Sequence, residues 1–195
     1  MERRQERIQP EMTLDDAPKL DTHEDLVAWL FDRHGDAVLR YCRAGLRNPA
    51  DAEDAVSETF ARLLRSPRRP TPARGLEGDP DRAWVFGIAR NVVREQRRWH
   101  RRHPVEVADV TLTIDRTQPE PDELASDHEE LQLLRDAIDG LREDYRQVIL
   151  LRFAAGLTSE EAGQVLGKSA GAVRIQQLRA LEALKDRLAP TLGMA

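Results

Sequence analysis

LREDYRQVILLRFAAGLTSEEAGQVLGKSAGAVRIQQLRALEAL, residues 141–184, reads as a run of helices broken by one tight turn. Tyr145, Val148, Ile149 and Phe153 recur at helical spacing and stop at Gly156. Thr158 and Glu161 then have capping-box spacing and open a short helix that reaches Leu166, with Gly167 as its stop. Ser169 caps a longer helix running to about Leu188. Short helix, turn and longer helix make a helix-turn-helix, in which Gly163 allows a close crossing because it lacks a Cβ. On the last helix Ala170, Val173, Ala180 and Leu184 face one way, and Arg174, Ile175, Leu178 and Arg179 another. The second face suits a major groove, where arginine pairs with guanine or holds phosphate and an aliphatic group touches a thymine methyl. It equally suits Ile175 and Leu178 packing on a neighbouring helix, and spacing does not separate the two.

Upstream, Ser126 and Glu129 repeat the capping-box spacing before Leu131, Leu134, Ile138 and Leu141. From Pro104 to Glu130 nine acids stand against Arg116 alone, a balance of -8, and three prolines interrupt the stretch. It reads as an extended acidic linker, although Val105, Val107, Val110, Leu112 and Ile114 partly alternate as a short strand would. From Ala83 to His103 the sign reverses, with six arginines against Glu95. Arg90, Arg94, Arg97 and Arg101 share one face of a helix that starts near Asp81 and buries Trp84, Val85, Ile88, Ala89 and Val92. Such a stripe repels itself, and a phosphate backbone is its natural partner. Trp84, Phe86, Asn91 and Trp99 interleave with it, as groups that stack on or hydrogen-bond to unpaired bases would; for Trp84, core packing is the competing role.

Two further helices precede this one. Thr22 and Asp25 have capping-box spacing, and Val27, Leu30, Phe31, His34, Val38, Tyr41 and Cys42 share a face, which makes His34 a core histidine and Cys42 a buried, inert thiol. Asn48 and Pro49 suit an N-cap and first position before an apolar face of Ala55, Val56, Thr59, Phe60, Leu63 and Leu64. Asp51, Asp54 and Glu58 form an acidic stripe on another side, for which spacing alone favours a solvated surface. Between Arg65 and Arg82, five arginines lie among prolines and glycines in a basic loop.

The whole chain has 195 residues, 33% charged and 5% aromatic, with a net charge of -5 that conceals this segregation. Its composition excludes collagen-like, disulfide-scaffold and coiled-coil-only classes. No apolar run approaches a membrane span and the first 25 residues are acidic, so neither membrane insertion nor a signal peptide is expected and the cytoplasm is the expected compartment. His23, His34, His100, His103 and His128 make no HExxH, and the two close ones sit among arginines hostile to a cation. No metal, cofactor or catalytic centre is expected. The fold class expected is all-α, with two small helical domains joined by the acidic linker.

Three stretches, DAEDAVSETFARLLR (51–65), AWVFGIARNVVREQRR (83–98) and residues 141–184, occur in an order that resembles the extracytoplasmic-function (ECF) sigma factors of the sigma-70 family. The resemblance implies a tail at 1–21, a region 2 domain at 22–103, a linker at 104–125 and a region 4 domain at 126–190. It implies a protein that binds the clamp helices and flap of core RNA polymerase, recognises two promoter elements and helps open the duplex. Asp51, Asp54 and Glu58 would dock on polymerase. Trp84, Arg90, Asn91, Arg94, Arg97 and Arg98 would hold the minus-ten element, and Lys168, Ser169, Arg174, Ile175, Leu178 and Arg179 the minus-thirty-five element. The linker acids would suit a positively charged polymerase channel, and an anti-sigma factor is a possible further partner. Ser57, Arg142, Lys168 and Gln177 depart from the residues the family usually has there. The competing readings are a helix-turn-helix regulator that binds duplex DNA without polymerase, and an enzyme acting on nucleic acid.

Overall fold

A computed structural model describes residues 22–66, 78–103 and 121–190 of the chain. Its described residues form seven α-helices and one π turn, with no strand. The N-terminal tail, residues 67–77 of the arginine-containing loop and residues 104–120, with the Val105 to Ile114 alternation, lie outside the described residues.

Helices α1 (His23–Gly45), α2 (Pro49–Arg65) and α3 (Pro80–Arg102) start where local chemistry satisfies their first N–H groups. Thr22 Oγ1 accepts from the Asp25 N–H at 3.1 Å while the Asp25 carboxylate accepts from the Thr22 N–H, completing the capping box. Asn48 accepts from the Ala50 N–H ahead of Pro49, and the Asp79 carboxylate accepts from the N–H groups of Asp81 and Arg82. The inner faces bury Leu30, Val38, Tyr41, Leu63, Val85 and Val93 completely. Phe86 is fully buried too, edge-on to Tyr41 at 5.8 Å, which corrects its expected place beside unpaired bases. Its position one residue from Val85 on the helix leaves it on the side that α1 covers.

Helix α4 (Pro121–Asp139) begins ahead of Ser126, where the spacing expects its start, because proline fits a first turn that needs no N–H from it. Leu131 and Leu134 on α4 stay exposed, whereas Leu141 beyond it is buried with Ile149 and Ala180. Helix α5 (Glu143–Ile149) runs into a π turn at Leu150–Ala154, where the Ala155 N–H donates to the Leu150 carbonyl at 3.0 Å. Helices α6 (Ser159–Leu166) and α7 (Ala170–Leu188) complete the chain.

The two halves share one core. Val148, Leu150, Leu151, Leu157 and Ala162 belong to the same buried cluster as Leu30, Tyr41 and Phe86. Burying both sides together removes apolar surface that either half alone would expose, which favours the closed arrangement. Two buried groups sit in this core without chemistry of their own. Burial pushes the Cys42 thiol up to about 12. Burial also lowers His34 to about 4, against the raising effect of Asp79, and its Nε2 has no hydrogen-bond partner.

Candidate nucleic-acid interface

The turn between α6 and α7 is set by backbone chemistry. Thr158 and Glu161 form the capping box of α6, and Gly167 takes the left-handed conformation at φ 66° and ψ 37° that ends it. Gly163 sits where a Cβ would lie 2.5 Å from the Lys168 carbonyl oxygen. The close approach is thus to the turn's backbone. Ser169 then caps α7 by accepting from the Ala172 N–H. Val173 and Ala180 are fully buried under α7, while Ile175 and Leu178 are 55% and 63% exposed on its outer side. Among the described residues, neither of these two aliphatic groups belongs to a packed apolar cluster. Arg174 and Arg179 are exposed beside them, with Arg174 bonded to Glu160 at 3.0 Å. Lys168 and Ser169 stand exposed at the start of the same helix, and the Lys168 ammonium donates to Gln176. Gln177, one of the departures from family usage, accepts from Arg152 Nε at 2.8 Å and so ties α7 to the π turn.

On α3 the arginines divide. Asn91 and Arg98 are exposed, and Trp84 is half-buried against the core. Arg90 and Arg97 face the C-terminal half. Arg90 Nε donates to Gln147 Oε1 at 3.0 Å. Arg97 donates to the Gly45 carbonyl at 2.6 Å and to Asp139 at 2.7 Å. Arg94 lies 3.8 Å from Glu143. Burial, then the neighbouring Arg94 charge, lower the pKa of Arg90. Against the desolvation of burial, Arg97 and Arg47 hold the Asp139 carboxyl below its usual range. In this arrangement the face expected to meet DNA is partly occupied by α4 and α5.

The acidic stripe on α2 is accessible but engaged. Asp54 is exposed, Asp51 lies 3.0 Å from His100, and Glu58 bonds Arg62 at 2.7 Å and Arg65 at 3.1 Å. Arg62 reaches across to Glu95 on α3 at 2.7 Å, so the stripe is braced against that helix. Hydrogen bonds from Arg62 lower the pKa of both Glu58 and Glu95.

Gln147, Asp139, Arg82 and Glu161 join the two halves and were not visible in the sequence as joining residues. Arg82 donates to the Ala155 carbonyl at 2.8 Å and lies 3.4 Å from Glu161, which also accepts from the Asp79 N–H. Only Glu161 carried a signal, and that signal reported its local capping role. Among the described residues no group of His, Cys, Asp and Glu is placed to hold a metal ion, and no helix is long and apolar enough to cross a membrane.

Comparison with known proteins places the chain in a family. The family model for Sigma-70 region 2 matches residues 30–103, and that for Sigma-70, region 4 matches residues 131–184. The chain is 37% identical to the ECF RNA polymerase sigma factor ShbA of Streptomyces griseus subsp. griseus, over 76% of this chain and 80% of that one. It is 33% identical to the RNA polymerase sigma factor CarQ of Myxococcus xanthus, over 86% and 92%. Its fold resembles CnrH solved with the cytosolic domain of CnrY, at TM-score 0.59 and 24% identity over 87% of this chain and 91% of that one. It also resembles RpoE solved with the anti-sigma factor NepR from Bartonella quintana, at TM-score 0.57 and 22% identity over 85% and 97%. The match to region 2 alongside region 4 favours the sigma reading over a helix-turn-helix regulator that binds duplex DNA without polymerase. With both regions matched in order, the chain belongs to the sigma-70 family as an ECF RNA polymerase sigma factor.

Proposed function

We propose that this sigma factor docks on the clamp helices of core RNA polymerase through Asp51, Asp54 and Glu58. It then captures the opened minus-ten element with Trp84, Arg90, Asn91, Arg94, Arg97 and Arg98. Lys168, Ser169, Arg174, Ile175, Leu178 and Arg179 read the minus-thirty-five duplex in its major groove. The outer side of α7 carries this reading. Exposed aliphatic groups stand beside arginines on a helix whose inner side is buried, and water is a poor partner for that mixture. Residues 22–103 and 126–190 act as separate recognition units once residues 104–125 let them part. The protein works in the cytoplasm and performs no catalytic step of its own.

Parting is required because Arg90 and Arg97 are held by Gln147 and Asp139 in the closed arrangement. Free protein is therefore restrained, and core polymerase shifts it to an open form by binding that form better. An anti-sigma factor, of the kind that accompanies RpoE in its solved structure, would act by covering the same surfaces.

Purified protein mixed with core polymerase and a library of promoter fragments tests this. Selective initiation is expected, with both promoter elements recovered from the selected fragments and activity lost in an Asp54→Arg, Glu58→Arg variant. Undiminished initiation by that variant would overturn the docking assignment.

A further inference from the structure

A cleft of about 280 Å³ opens between α3 and α5, lined by Arg94, Arg97, Arg98, Arg101, Glu143 and Arg146. Five guanidinium groups thus face one carboxylate. The counter-charge within reach is already shared: Glu143 serves Arg146, and Asp139 serves Arg47 and Arg97. Arg98 and Arg101 are exposed and form no ion pair among the described residues. Two of the lining groups are also short of hydrogen bonds, since Arg97 Nε and Arg146 Nε are buried without a partner. Arg146 is only 5% exposed. Burial, and then the neighbouring Arg97, lower its pKa, as expected of a cation short of negative charge.

We infer that this cleft binds a small oligophosphate anion that bridges α3 and α5. Arginine is suited to the task because its planar donors pair with phosphate oxygens two at a time. Arg94 to Arg101 spans two turns, about 10 Å along the helix axis. That length calls for a run of linked phosphates, since a single one would leave most of the arginines unpaired. The volume sits near the lower end of small-molecule sites, about 300–1,000 Å³, which admits a triphosphate and leaves no room for a duplex. Four of the arginines come from the N-terminal half and Arg146 from the C-terminal half, so the anion favours the closed arrangement. An oligophosphate pool would then set how much of this sigma factor is free to open. The inference goes beyond the promoter reading and needs no polymerase for its test.

Thermal unfolding of the full chain, titrated with sodium tripolyphosphate against sodium chloride of equal ionic strength, is the experiment. A saturable rise in Tm is expected with tripolyphosphate only. Arg98→Gln with Arg101→Gln, at exposed positions without ion pairs, should weaken binding about tenfold. Arg40→Gln with Arg43→Gln removes the same charge from α1 and should leave it unchanged. ATP in a parallel titration separates the sources: tighter binding than tripolyphosphate points to a nucleoside triphosphate, equal binding to the phosphate run alone, and both support the site. No rise beyond the chloride control would overturn it, as would equal weakening in the two double variants. Stabilisation by a single-stranded oligodeoxynucleotide that tripolyphosphate does not displace would also overturn it, assigning the cleft to the DNA path.

Discussion

The Glu161 carboxylate accepts from the Thr158 N–H at 2.8 Å to close the α6 capping box, and from the Asp79 N–H at 3.2 Å at the start of α3. One side chain therefore caps a helix locally and satisfies an end group of another helix in the opposite half. Gly163 is as constrained, because an added Cβ would meet backbone that cannot rotate away. Gly163→Ala should lower stability by about 1–3 kcal/mol, read from the urea midpoint. His34 makes a pH-dependent contribution. Its folded pKa of about 4 lies below the ordinary 6.5, so the unfolded chain binds more protons between those values. The stability is complete above pH 6.5 and is lost as pH falls towards 4, by roughly 3 kcal/mol. Unfolding midpoints from pH 7 to 4.5 should show that slope, and His34→Gln should flatten it; an unchanged slope in the variant would place the effect elsewhere.

Helices α1, α2, α6 and α7 start where the sequence placed them, because Thr22, Asn48, Thr158 and Ser169 each bond within three residues and carry their signal locally. The stop at Gly167 was legible for the same reason. The π turn at Leu150–Ala154 was not, since one extra residue per turn leaves no mark in residue type. Nor was the burial of Phe86, because helical spacing does not say which neighbour covers a flank. The candidate reading face on α7 was legible as a set of residues, but its exposure was settled only by what packs nearby. That exposure separates stability from recognition. Leu178→Ala should change stability by no more than about 0.5 kcal/mol while reducing selectivity for the minus-thirty-five element in transcription from matched and mismatched promoters. A large loss of stability would show that Leu178 packs in the protein, contrary to the account.

At the scale of the molecule, segregated charge does two jobs. Arginines that would hold a promoter strand are held instead by Gln147 and Asp139, and apolar groups of the π turn and α6 complete the core of the N-terminal half. Sequence shows that such charges exist but not that they meet, since Arg97 and Asp139 stand 42 residues apart. Removing the Asp139 carboxylate leaves Arg97 without its ion pair, which should weaken closure and strengthen binding of single-stranded minus-ten DNA by the free protein about tenfold in Asp139→Ala. The central claim is that the free protein is closed and that polymerase opens it. Spin labels at Asp36→Cys on α1 and Glu182→Cys on α7 report this directly, because both positions are exposed and native Cys42 is fully buried. A single short distance in free protein, replaced by a longer one when core polymerase is added, is the predicted result. The same distance with and without polymerase would contradict the account.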